Sequence, residues 1–154
     1  MTNNDILRRI RYSFELDDSK VMEIFALGDL EVTRTQISDW MKRDEDEAFK
    51  PCNDSEFAAF LNGFIIDKRG RKDGPARATE KRLSNNQIFS KLKIALDLKA
   101  EDVLEITSLG GLTLSKNELS AFFRKPGNRH YRQCKDQCLR SFLKGMQERF
   151  RNCG

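Results

Sequence analysis

Apolar residues recur at helical spacing along most of the chain. Ile6, Ile10 and Phe14 follow Asn3-Asn4-Asp5, and Ile88, Leu92 and Leu96 follow Asn85-Asn86-Gln87. Each stretch predicts a helix whose first amides are capped by the asparagine side chains. Val21, Ile24, Phe25 and Leu27 predict a second helix, matched by Val103, Ile106 and Leu109, with Gly28 or Gly110 next, where helices commonly close on a left-handed residue. Thr33-Arg34-Thr35-Gln36 and Ser115-Lys116-Asn117-Glu118 have the form in which the first and fourth side chains satisfy each other's free amides. The helices they open present Ile37, Trp40 and Met41, or Leu119, Phe122 and Phe123. The widest stripe runs through Phe57, Phe60, Leu61, Phe64 and Ile65, matched by Leu139, Phe142, Leu143 and Met146. It predicts a core-facing helix starting near Asn53 or Lys135. Gly63 and Gly145 lie inside this stripe, where glycine costs about 0.5–1 kcal/mol relative to alanine. A second helix backbone is therefore expected to cross closely there. No strand pattern is found.

The elements repeat at a fixed offset. Residues 85–151 align with 3–69 without a gap, giving seventeen identities in sixty-seven pairs. The expected fold is all-α, a tandem duplication of a four-helix unit packed with internal pseudo-two-fold symmetry. Its divisions are a first helical repeat at 1–69, an exposed basic linker at 70–82 containing Gly74 and Pro75, and a second repeat at 83–154. A unit of about 65 residues buries little surface by itself, which is why the halves are expected to pack together.

Charge changes this picture of two equal halves. Residues 1–69 hold ten Lys or Arg against fifteen Asp or Glu, a net of −5, whereas residues 83–154 hold thirteen against seven, a net of +6. The contrast is sharpest in one segment. Residues 42–58 carry three cations against six carboxylates, and the equivalent 124–140 carry six against one. Eleven Phe against one Trp and two Tyr point to a Phe-rich core. No apolar run approaches the roughly 20 residues of a membrane span, and Met1 to Asp5 leads straight into a charged helix, so the expected location is cytoplasmic, with no membrane partner. The four cysteines are then expected to be reduced.

Several strings carry a family likeness: Asn4-Asp5-Ile6-Leu7-Arg8, Ala26-Leu27-Gly28, Phe60-Leu61-Asn62-Gly63, Lys68-Arg69-Gly70 and the run from Trp40 to Glu47. In these the chain resembles the YehS-like family of uncharacterised bacterial proteins, defined by a duplicated domain of unknown function. The resemblance implies a cytoplasmic bacterial protein and brings no activity, cofactor or catalytic residue.

Candidate chemistry is sparse. The single histidine, His130, has Ala48 as its counterpart, and no phosphate loop, zinc-protease or serine-hydrolase motif occurs. His130, Cys134 and Cys138 stand four apart, a spacing that would align three zinc ligands on a continuous helix. The helix is expected to begin only near 134, and a fourth ligand is missing, so no metal, cofactor or catalytic residue is assigned. Cys52 and Cys134 read as small buried packing residues, and Asp54 and Asp136 as carboxylates stabilising a helix N-terminus.

Two binding readings stand. In the first, Arg124, Lys125, Arg129, Arg132, Lys135 and Arg140 meet nucleic acid, single-stranded or RNA, with Tyr131 as a stacking ring. Residues 20–43 are also similar to a helix-turn-helix, although the connection after Gly28 is long for that motif and Trp40 would be core. In the second, Asp44, Glu45, Asp46 and Glu47 meet those cations in a protein-interaction or self-assembling module, with a homodimer as the expected form.

Overall fold

The computed structural model describes residues 1–72 and 77–151. These residues form eight helices and no strand: α1 (Asn3–Ser13), α2 (Asp18–Leu27), α3 (Arg34–Met41), α4 (Asp54–Arg69), α5 (Asn85–Ala95), α6 (Ala100–Leu109), α7 (Lys116–Phe122) and α8 (Asp136–Phe150). The order of four is written twice, so the fold is an all-α tandem repeat. The chain divides into two compact units, Met1–Leu83 and Ser84–Gly154. Gly74 and Pro75 lie outside the described residues. The stretch before α5 is tied to the first unit, since Asn62 Nδ2 donates to the Ala78 carbonyl and the Leu83 amide donates to Asp54.

The capping boxes form where expected before α3 and α7, with Thr33 paired to Gln36 and Ser115 to Glu118. Helices α4 and α8 start at Asp54 and Asp136, after Asn53 and Lys135. The first helix of each unit departs from expectation. Its cap is Thr2 or Ser84, boxed with Asp5 or Gln87, because one more residue upstream offers a hydroxyl in the right place. The asparagines thereby fall inside the helix and are released for another task.

Both units close on one backbone crossing. A methyl group added to Gly63 would overlap the Ile24 carbonyl oxygen, and one added to Gly28 would overlap the Ala59 carbonyl oxygen. Gly145 meets Ile106 and Gly110 meets Ser141 in the same way. Two glycines, one from each helix, thus let α2 lie against α4 and α6 against α8 at backbone distance, the geometry that also favours Cα–H···O contacts. The close approach expected at Gly63 and Gly145 is present. The left-handed conformation expected at Gly28 and Gly110 is not, for their φ values are −89° and −80°. Asp29 (φ 65°) and Gly111 (φ 97°), one residue later, take that conformation, so Gly28 and Gly110 are required by space rather than by torsion.

Above the crossing the cores are aromatic but arranged differently. In the first unit Phe25, Phe57, Phe60 and Phe64 are fully buried, with Phe25 tilted against Phe60 at 5.1 Å and against Trp40 at 5.3 Å between centroids. In the second unit Thr107 replaces Phe25, its hydroxyl donating to the Val103 carbonyl at 2.7 Å. The lost ring volume returns from the opposite wall, where Phe89 replaces Leu7 and packs on Phe142 at 4.6 Å. One large ring is kept while its source moves, and a leucine's volume gives way to the smaller Thr107. Leu109, expected to face the core, is 51% exposed, because α6 ends there and its last turn points away.

Two stability outcomes are expected. Gly63→Ala or Gly145→Ala should each lower unfolding free energy by about 3 kcal/mol or more, since a rigid carbonyl cannot yield. Gly127→Ala, with open space at its Cβ, should be close to neutral in the same chemical denaturation. In the opposite direction, the buried Ser13 hydroxyl finds no hydrogen-bond partner among the described residues, and its counterpart is the buried Ala95. Ser13→Ala should raise stability by about 1 kcal/mol.

Candidate nucleic-acid interface

The segment linking the third and fourth helices of each unit has no regular structure, yet it takes one shape in both. Asn86 holds its two ends together. This largely buried side chain donates from Nδ2 to the carbonyls of Phe122 (3.0 Å) and Arg132 (2.8 Å), and its Oδ1 accepts the Cys134 amide at 2.8 Å. Next to it, Asn85 donates to the Cys134 carbonyl at 3.0 Å and to Asp136 at 2.8 Å. In the first unit Asn4 bonds Trp40, Lys50 and Cys52 in the same pattern, and Asn3 bonds Cys52 and Asp54. Every atom bound by Asn4 or Asn86 belongs to the backbone.

Within the loops the turns also correspond. Asp46 and Asn128 donate to the carbonyls of Arg43 and Lys125, Phe49 and Tyr131 donate to those of Asp46 and Asn128, and Lys50 and Arg132 donate to those of Asp39 and Ala121. The side-chain oxygen of Asp46 accepts the Ala48 amide as that of Asn128 accepts the His130 amide, both at 2.8 Å. One backbone therefore carries Asp44-Glu45-Asp46-Glu47 in one unit and Pro126-Gly127-Asn128-Arg129 in the other, all exposed.

In the second unit this loop walls an open groove of about 760 Å³. Of the six candidate cations, Arg124, Arg129, Arg132 and Lys135 line it, while Lys125 and Arg140 do not; Glu118 is its only carboxylate. All six are exposed. Tyr131 is half-buried, like its counterpart Phe49, and stands outside the groove lining. His130 is exposed in the lining and accepts a hydrogen bond from Arg129 Nε at 3.1 Å. The acidic loop is clasped instead by Arg8, which donates to the Lys42 carbonyl and sits 3.8 Å from Asp44. Arg8 becomes Ser90 in the second unit, so that clasp is lacking there. Lys135, at the N-cap of α8, makes no side-chain cap, whereas Asn53 and Glu56 form a full box at α4.

The Asp136 carboxyl is held below the ordinary carboxylate range, with the Asn85 amide as the foremost cause. Asp54 and Asp136 are thus loop fasteners as well as first-turn carboxylates. Cys52 is buried, which pushes its thiol up to about 12 with help from Glu56 and Asp54. Cys134 is also driven upward, first by the neighbouring Cys138 and then by burial. Among the described residues no three His, Cys, Asp or Glu side chains converge on a point where a metal ion would fit, and no helix is long and apolar enough to cross a membrane. The connection between α2 and α3 spans residues 28–33, and Trp40 is buried.

If the asparagine bracket sets the groove, Asn86→Ala should cost about 3 kcal/mol, because two carbonyls and an amide lose their partner. Hydrogen exchange should then accelerate across 124–135 and stay unchanged across 42–53. Uniform protection in both loops would show that the bracket is dispensable.

Both units match the family described as "Protein of unknown function (DUF1456)", the first over residues 3–70 and the second over 85–152. The chain is also similar to "Uncharacterized protein YehS" of Escherichia coli (strain K12), with 39% identity over 150 residues covering 97% of this chain and 96% of that one. No solved structure matches the chain.

Proposed function

The chain belongs to the DUF1456 family, whose description carries no activity, and we propose that it is a non-enzymatic binding protein whose second unit takes single-stranded nucleic acid. One observation carries this reading. Four cations of one loop converge on an open groove with a single opposing carboxylate. Phosphates gain from such a lining because each contact releases condensed counterions. A loop without helix or ribbon geometry suits a flexible strand better than the major groove of a duplex. The first unit, with carboxylates on the same backbone, repels phosphates and limits contact to the second unit.

A second reading is favoured by that matched backbone of opposite charge. Two copies can pair head to tail so that Asp44 to Glu47 of one protomer meets the cations of its partner. A two-fold arrangement makes this contact twice.

The readings separate by titration. A labelled single-stranded oligonucleotide should bind at low salt, with affinity falling as salt rises at a log–log slope of about −3, as expected for four phosphate contacts. The double variant Arg129→Glu with Arg132→Glu should weaken binding at least about tenfold and flatten the slope; both side chains are exposed, so folding should survive. No binding at low salt rejects the first reading. For the second, sedimentation should find a dimer that Glu45→Lys with Asp46→Lys dissociates, and a strict monomer at high concentration rejects it.

A further inference from the structure

The second unit contains a pair of thiols that the first unit lacks. Cys134 is the last loop residue before Lys135, the N-cap of α8, and Cys138 lies in the first turn of that helix. Cys134 is fully buried, and Cys138 is 6% exposed while lining the basic groove. The Cys134 thiol faces the Lys135 carbonyl at 3.7 Å, and each of the two thiols is the foremost influence on the other's protonation. At the matching positions of the first unit stand Cys52 and Glu56, and Glu56 completes the box that caps α4. Replacing Asn53 by Lys135 and Glu56 by Cys138 forfeits that box, a loss of about 1 kcal/mol. Burying the first thiol does not require the exchange, since the first unit packs Cys52 in the place of Cys134 and keeps its cap.

We infer that Cys134 and Cys138 form a peroxide-sensitive dithiol that closes to an intramolecular disulfide on the wall of the basic groove. The chemistry follows from position. Cys138 is reached from the groove, whereas Cys134 is shielded behind it. The Cys138 thiol is held below the ordinary cysteine range chiefly by the neighbouring Cys134, against burial, and a thiolate in the first turn of a helix also gains from the exposed amides. Arg129 and Lys135 line the same groove, and the Glu118 carboxylate opposes an anion at Cys138. The Cys138 thiolate attacks one oxygen of a hydroperoxide, forming an S–O bond as the O–O bond breaks, and the departing oxygen takes a proton to leave as water or an alcohol. The Cys134 sulfur then attacks the sulfenic sulfur. The S–S bond forms, the S–O bond breaks, and the hydroxide leaves as water with the Cys134 proton. Two thiols are oxidised by two electrons, and the peroxide is reduced by the same two.

The test uses the full chain carrying Cys153→Ser, which removes a competing thiol outside the described residues. After hydrogen peroxide the intact mass should fall by two hydrogens, peptide mapping should join Cys134 to Cys138, and dithiothreitol should restore both. Before oxidation, alkylation of the native protein should label Cys138 at least about tenfold faster than Cys52. In Cys134→Ser, Cys138 should stop at a sulfenic acid that dimedone traps. In Cys138→Ser, no intramolecular disulfide should form, and circular dichroism checks that this variant is folded. The inference is overturned if peroxide leaves both thiols open to alkylation in the unfolded chain. It is equally overturned if Cys138 proceeds to sulfinic acid beside a free Cys134. These readouts need no oligonucleotide, so their outcome is independent of the binding reading.

Discussion

The site depends on one buried amide per unit addressed to backbone atoms. A segment such as 124–135 has no ladder of its own, and twelve or so residues without regular structure would ordinarily sample many shapes. Asn86 removes that freedom by joining the carbonyls at both ends and the amide at the exit, and Asn4 does so for the loop before α4. Because the bracket grips no side chain in the loop, the loop's side chains carry little structural duty. That is the physical reason a run of four carboxylates and a run containing proline, glycine and arginine share a path. The fold specifies the backbone and leaves the charge open.

A second constraint keeps the bracket in place. The α2–α4 and α6–α8 crossings rest on glycine against carbonyl, a contact that hardly varies because neither side has a rotamer to adjust. Side-chain packing around it has more latitude. Phe25 and Leu7 in one unit become Thr107 and Phe89 in the other, so the large ring moves from the second helix to the first while the crossing stays fixed. The two copies therefore agree where backbone meets backbone or amide. They diverge where volume can be traded or where water is the only neighbour.

Much of this was legible because it is local. The helix starts at Asp54 and Asp136 and the boxes at Thr33 and Ser115 have partners three residues away, and the glycines inside the α4 and α8 stripes signalled an approach by their cost alone. The asparagines misled because a residue ahead of an apolar run resembles a cap, and nothing nearby shows that its partners lie 36 to 48 residues downstream. Gly28 and Gly110 misled for a related reason: one residue type answers both to a left-handed torsion and to a lack of space. For the candidate cations, the charge contrast marked the segment that walls the groove. It could not separate Arg124, Arg129, Arg132 and Lys135, which share the groove, from Lys125 and Arg140, which do not, since a loop has no period from which to assign a face.

The thiol pair and the cations also share a mechanical element. Cys134 is the residue whose amide Asn86 accepts and whose carbonyl Asn85 grips, so it is where the basic loop is fastened to α8. Disulfide geometry brings two sulfurs to about 2 Å, closer than unbonded atoms approach, and drawing the Cys134 sulfur toward α8 loads the fastened residue. The flanking bonds are short and directional, and they release or tighten rather than stretch far. The Asn53–Glu56 box gives the corresponding joint of the first unit a second fastening, whereas the α8 joint has exchanged it for sulfur. Charge and redox chemistry in the second unit thus converge on a single residue's backbone, while the first unit keeps the same joint electrically opposite and without a second thiol.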